Sequence, residues 1–146
     1  MRPASILTFD RLYLVAVGLG LVNSIMAKDH YLAMLAADPN MAKLKVTEAM
    51  LQGAVWAMIG FSVLIGLLLW YLIAHRASNM AKWVLVVITL FGLMSVPASL
   101  RQLGQGGGLG IMVTLAIEAL RVVAISFLFR ADARAWLEGG KRDAQG

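Results

Sequence analysis

The sequence contains no cysteine. That absence excludes disulfides, thiolate metal sites, cysteine nucleophiles and thiol redox relays. Charge is scarce as well, at 14% of 146 residues, against about 25% in a soluble domain. Acid is the scarcer sign, with 8 Asp and Glu against 13 Lys and Arg. None of the serines in the apolar runs has a histidine near it in sequence, and no pair of carboxylates falls within them. The constellations for nucleophilic or acid–base catalysis are therefore missing, and no enzyme activity, cofactor or metal is expected. Of three prolines, only Pro97 interrupts an apolar run.

What is present is apolar. Hydrophobic residues make up 60% of the chain and the mean hydropathy is +0.78. A soluble fold of this size could not hide so much apolar surface, so lipid is the expected solvent. A hydrocarbon layer about 30 Å thick needs roughly 20 apolar residues in a helix. Four segments qualify, at about residues 12–27, 52–74, 83–100 and 109–129. The first is short, but Arg11 and Lys28 can snorkel at its ends. It reads as a span rather than a cleaved signal peptide, because "IMA" is a poor small-x-small site and Asp10 stands where a basic leader is required. The expected fold is all-α: an integral membrane antiparallel four-helix bundle over residues 1–138, with a disordered tail at 139–146.

Basic residues set the orientation. Arg2, Arg11, Arg76, Lys82, Arg130, Arg134, Lys141 and Arg142 fall on one side, and Lys28, Lys43, Lys45 and Arg101 on the other. By the positive-inside rule both termini are cytoplasmic. The net charge of +5 then serves anionic lipid headgroups. Nucleic acid is not an expected partner, since no basic patch interleaved with aromatics is present. The connection at about 28–48 is long. "KDHYLAMLAADPN" has a helical pattern up to Ala37 and "MAKLKVTEAML" resumes it. It reads as an extracytoplasmic helical hairpin, or as a short helix lying on the outer interface. "RQLGQGGGLG" is a glycine-rich linker and lacks the Lys-Ser/Thr of a phosphate loop. In the tail, Trp136 and Leu137 are candidates for docking at the inner interface.

The fourth segment raises a question. "LAIEALRVV" places Glu118 and Arg121 inside an apolar run. Two mid-membrane charges cost about 5–7 kcal/mol, while the large apolar residues of this segment return roughly 4–7. The segment inserts only with its neighbours, and its charges must face protein or water. At i and i+3 the two side chains share one helix face and can pair. Small residues at Thr114, Gly110 and Gly106 continue that face outward as a packing groove. Counting about 1.5 Å per residue, Asn23 and Ser95 fall near the outer side of Glu118, and Thr89 near the level of Arg121. The expected site is a buried polar cluster of Asn23, Thr89, Ser95, Glu118 and Arg121, either a structural salt bridge that fixes register or a functional centre.

Other features read as packing. Ala16, Gly20 and Ser24 form a small-residue stripe for a close helix contact, within the monomer or in a dimer. Gly53-Ala57 and Ser62-Gly66 repeat the pattern in the second segment. Nine methionines lack the tight pairing of a copper site and serve adaptable packing. His30 and His75 fall on opposite sides of the membrane and cannot share a metal.

The order "FDRLY" before the first segment, "RASNMAKWV" entering the third and "FRADARAWL" after the fourth is similar to uncharacterised small four-span proteins of bacteria. The resemblance covers most of the chain and implies a multi-pass location in the bacterial inner membrane, with no activity attached. Lacking catalytic groups, the sequence favours a non-enzymatic accessory or interaction subunit, partnered by lipid and by a membrane protein or further copies of itself. The alternative is a small oligomeric transporter or channel that uses Glu118 and Arg121.

Overall fold

The computed structural model describes residues 2–43, 46–104 and 108–142. They form α1 (Ala4–Met26), α2 (Lys28–Ala36), α3 (Pro39–Lys43), α4 (Glu48–Ala74), α5 (Asn79–Met94), α6 (Val96–Gly104), α7 (Leu109–Ser126), a 3-10 turn (Phe127–Phe129) and α8 (Ala131–Arg142), with no strand among the described residues. Four stretches are long and apolar enough to cross a membrane: Ala4–Met26, Glu48–Ala74, Asn79–Arg101 and Leu109–Phe129. Lys45 and Gly106 lie outside the described residues.

The first long helix begins eight residues before the expected start at 12. Ile6, Phe9, Tyr13 and Ala16 are all buried, and their 3-4-3 spacing is one continuous helical stripe. The charged pair Asp10–Arg11 does not break it, because Asp10 is satisfied. Arg2 Nη1 donates to its Oδ2 at 2.9 Å and Trp70 Nε1 to its Oδ1 at 3.0 Å. The backbone then turns at Ala27, so α2 is a separate helix and not a continuation of α1. It packs back against α4, and α3 restarts at Pro39, where proline's missing N–H does not matter. Thr47 caps α4 by accepting from the Met50 N–H, which moves its start from the expected 52 to Glu48.

The third apolar run is not one helix. Pro97 lacks an N–H, and its ring crowds the carbonyl four residues earlier. The helix accordingly breaks at Ser95, where the Ser95 backbone N–H bonds to the Gly92 carbonyl at 3.0 Å. At its other end Ser78 caps α5 by accepting from Ala81 N–H, after a tight turn with Ala77 at φ 48°.

The apolar core is concentrated at one end of the molecule. Ile6, Phe9 and Tyr13 of α1 meet Leu69, Ile73 and Ala74 of α4, Ala81 and Leu85 of α5, and Ala124, Ile125 and Leu128 at the end of α7. α8 closes this end. Ala133 and Leu137, spaced i and i+4, are buried in the same cluster. Of the expected tail at 139–146, residues 139–142 fall within α8, and 143–146 lie outside the described residues. Lys82 is also buried here, its Nζ 5.0 Å from the Phe129 ring centroid and 5.4 Å from that of Trp83, a cation–π arrangement.

A polar tie holds α8 in place. Ser5 donates twice to Asp132, from its hydroxyl to Oδ1 at 2.7 Å and from its backbone N–H to Oδ2 at 3.1 Å. These two bonds hold the Asp132 carboxyl below the usual carboxylate range. A carboxyl lowered on folding stabilises the fold above its unfolded value of about 3.9, and the contribution is lost as pH falls through the lower folded value. α8 is therefore expected to stay docked from neutral pH down to about 4 and to loosen below it, read as a change in Trp136 fluorescence. Asp132→Asn should show that change already at neutral pH. A signal in Asp132→Asn identical to that of the natural chain at every pH would refute the tie.

Candidate intramembrane polar site

Small residues let the long helices approach in the other half of the molecule. A Cβ on Gly20 of α1 would stand 3.4 Å from Arg121 Nη2 of α7, and one on Gly92 of α5 3.2 Å from Glu118 Oε2. One on Gly66 of α4 would meet Tyr13 Oη and Val17 at 3.6 Å. The missing Cβ atoms leave room for side chains from several helices around one point. The register along α1 and α7 is fixed by three contacts: Asn23 Nδ2 donates to Thr114 Oγ1 at 3.1 Å, Gly20 faces Arg121, and Ser5 reaches Asp132 beyond the end of α7.

Around that point lies a cavity of about 410 Å³, lined by α1, α2, α4, α5 and α7. Its volume is within the usual range of about 300–1,000 Å³ for small-molecule sites. On α1 the lining runs from Tyr13 to Ser24, roughly 16 Å at about 1.5 Å per residue. Its polar lining comprises Tyr13, Asn23, Ser24, Tyr31, Ser62, Thr89, Thr114, Glu118 and Arg121. The rest is aliphatic or glycine, including Val17, Ile59, Ile65, Ile88 and Ile117. The apolar core described above lies beyond Tyr13, Leu69 and Leu85, which belong to both.

Glu118 and Arg121 are paired within the site. Arg121 Nη1 donates to Glu118 Oε1 at 2.9 Å. The two are not equally covered, with 33% of the Arg121 side chain exposed against 14% for Glu118. Glu118 Oε2 is fully buried against Gly92 and has no hydrogen-bond partner. Arg121 is the more exposed member of the pair.

Of the expected cluster, Asn23, Thr89, Glu118 and Arg121 line this one cavity. Ser95 does not. It is exposed at the helix break and its hydroxyl donates to the Gly92 carbonyl at 2.6 Å. That local bond satisfies the hydroxyl on its own helix. Among the packing residues, Ala16 is buried, Gly20 abuts Arg121, Ser24 lines the cavity and Thr114 bonds Asn23. Gly110 has open space where a Cβ would stand. It contributes its carbonyl, which accepts from the Thr114 hydroxyl at 2.9 Å, rather than a close helix crossing. Gly53 is likewise open, whereas Gly66 is at a close approach.

Sequence reasoning passed over Tyr13, Tyr31 and Ser62. Tyr13 carried a signal, since it continues the Ile6–Phe9 stripe toward Ala16, Gly20 and Asn23. Tyr31 carried none, because its place in the site depends on how α2 folds back on α4, and Ser62 was legible only as a small residue of a packing pair. The Asn23–Thr114 contact predicts a crosslink. In this cysteine-free chain, Asn23→Cys with Thr114→Cys should form a disulfide under mild oxidation, seen as a shift on a non-reducing gel. Asn23→Cys with Glu118→Cys, one turn deeper, should form it more slowly. Equal rates, or a faster deep pair, would contradict this register.

Compared with models of protein families, with curated proteins and with solved structures, the chain matches none, so its reading rests on these residues alone.

Proposed function

We propose that the chain is a small multi-pass protein of the bacterial inner membrane that binds a small solute between its spans, in the class of small transporters or channels. The observation that carries this reading is the cavity of about 410 Å³ with the Glu118–Arg121 pair in its wall. The Arg121 side chain is one-third exposed, and the pair lines a cavity whose polar residues come from all four long helices. The fold proposed is an antiparallel four-helix bundle with both termini cytoplasmic. The meeting of the α1 start, α4 end, α5 start and α7 end in one core supports alternating helix directions. The basic bias at that end supports its cytoplasmic side. On this topology the cavity opens away from the cytoplasm and α8 closes the inner end.

The test is accessibility from the two sides. Ser62→Cys and Ser24→Cys should react with a membrane-impermeant maleimide in right-side-out vesicles and resist it in inside-out vesicles. Reaction from neither side would leave the cavity without an aqueous path and refute the reading.

A second reading, an accessory subunit, is favoured by one observation. α5 leaves Met80, Trp83, Val87, Phe91 and Met94 broadly exposed, an apolar face wide enough for a partner helix as well as lipid. Purification in mild detergent with intact-complex mass spectrometry decides it, since a stoichiometric second protein is its requirement.

A further inference from the structure

We infer that the cavity takes an organic monoanion: a compact acidic head held by Arg121, on a short apolar body. The inference rests on the solute-binding reading above and names the class of solute. Three observations support it. First, among the described residues the charged side chains in the lining are Glu118 and Arg121, and they are unequally exposed. One Glu118 oxygen is occupied by Arg121 and the other is buried against Gly92, so the carboxylate offers a ligand little. Arg121 uses one donor on Glu118 and is one-third exposed. A guanidinium has five N–H donors in a planar fork that matches a carboxylate or sulfonate bidentately.

Second, donors are available in the lining. Tyr13 and Thr89 are buried residues that line the cavity, and the hydroxyl of each can donate to an acidic head. Thr114, by contrast, already accepts from Asn23 and donates to Gly110. Third, the lining also has an aliphatic part, with Val17, Leu21, Ile59, Ile65, Ile88 and Ile117, which suits a short apolar body. Glu118 already offsets the Arg121 charge, so every negative charge a ligand brings adds to the net charge at this depth, which limits the ligand to one. A lipid phosphate is not the source. Arg121 stands eight residues inside the end of its span at Phe129, roughly 12 Å at about 1.5 Å per residue, well below the headgroups.

The probes are three molecules of one chain length: butanesulfonate, butyltrimethylammonium and butanol. The first two carry permanent charges, so proton uptake does not confuse the comparison. In purified Ser62→Cys protein reconstituted in zwitterionic lipid, each is tested for slowing the reaction of the cysteine with a neutral maleimide. The expected result is half-protection by butanesulfonate at a concentration at least ten-fold below that needed by the other two. Arg121→Gln should abolish the gap. Because a lone buried Glu118 can prevent folding, the same loss is also expected in the double variant Glu118→Gln with Arg121→Gln, which strands no charge. Equal protection by all three probes, or better protection by the cation, would overturn the anion assignment while leaving a binding cavity. A Ser62 cysteine that never reacts would overturn the cavity reading itself and the assignment with it.

Discussion

Phe9→Ala is expected to destabilise the protein by about 2–3 kcal/mol, while Phe61→Ala should change stability by less than about 0.5 kcal/mol. The two substitutions remove the same ring from helices of similar character. Phe9 is fully buried in the core formed by α1, α4, α5, α7 and α8, with its ring stacked on Tyr13 at 5.2 Å between centroids. Phe61 is 64% exposed on α4. In water, Phe→Ala in a core costs about 3–5 kcal/mol, the sum of a transfer term and a cavity term. In a membrane the transfer term is small, because lipid tails are as apolar as the core. The cavity and lost dispersion contacts remain, hence the lower figure. Melting of the purified variants in one detergent measures the difference. Equal losses would mean that the Phe61 face is packed in the assembled protein, and would favour the accessory-subunit reading through that face.

This contrast also shows what could be read from the sequence. The four apolar runs were legible because insertion in lipid depends on local hydropathy, which needs no knowledge of partners. The pairing of Glu118 with Arg121 was legible because i, i+3 spacing fixes it within one helix. Where the argument needed distant partners, legibility ended. Asp10 looked like the end of a span, because its donor Trp70 lies sixty residues away. Ser95 was placed by depth alone, whereas it is exposed and bonds back to its own helix. Gly20 and Gly110 had the same signature, yet one meets a guanidinium and the other meets nothing. The cavity itself is a property of shape. It arises where small residues and kinked helices leave space, and no residue pattern announces that.

The second large effect concerns the charge pair, where the order of the variants matters more than any single loss. Glu118→Ala should be the worst, at roughly 3 kcal/mol, the lower end of the range for breaking a buried pair because Arg121 is one-third exposed to the cavity. Arg121→Leu should cost less. A stranded carboxylate can take up a proton and become neutral, whereas a guanidinium stays charged at any accessible pH. Glu118→Leu with Arg121→Leu should be milder than Glu118→Ala, because a well-filled apolar replacement strands no charge. Gly92 adds a constraint, since a Cβ there would press on Glu118 Oε2 from 3.2 Å and must displace the pair. Monodisperse yield after detergent extraction and the melting temperature of each variant test the order. If all variants matched the natural chain, the charges would be fully solvated, and the pair would belong to an open aqueous pathway and not to a closed binding site. If the double leucine variant were stable but no longer slowed maleimide labelling with butanesulfonate present, stability and binding would be separated at the same two residues. The ion pair would then be kept for its ligand, against the lower cost of an apolar core.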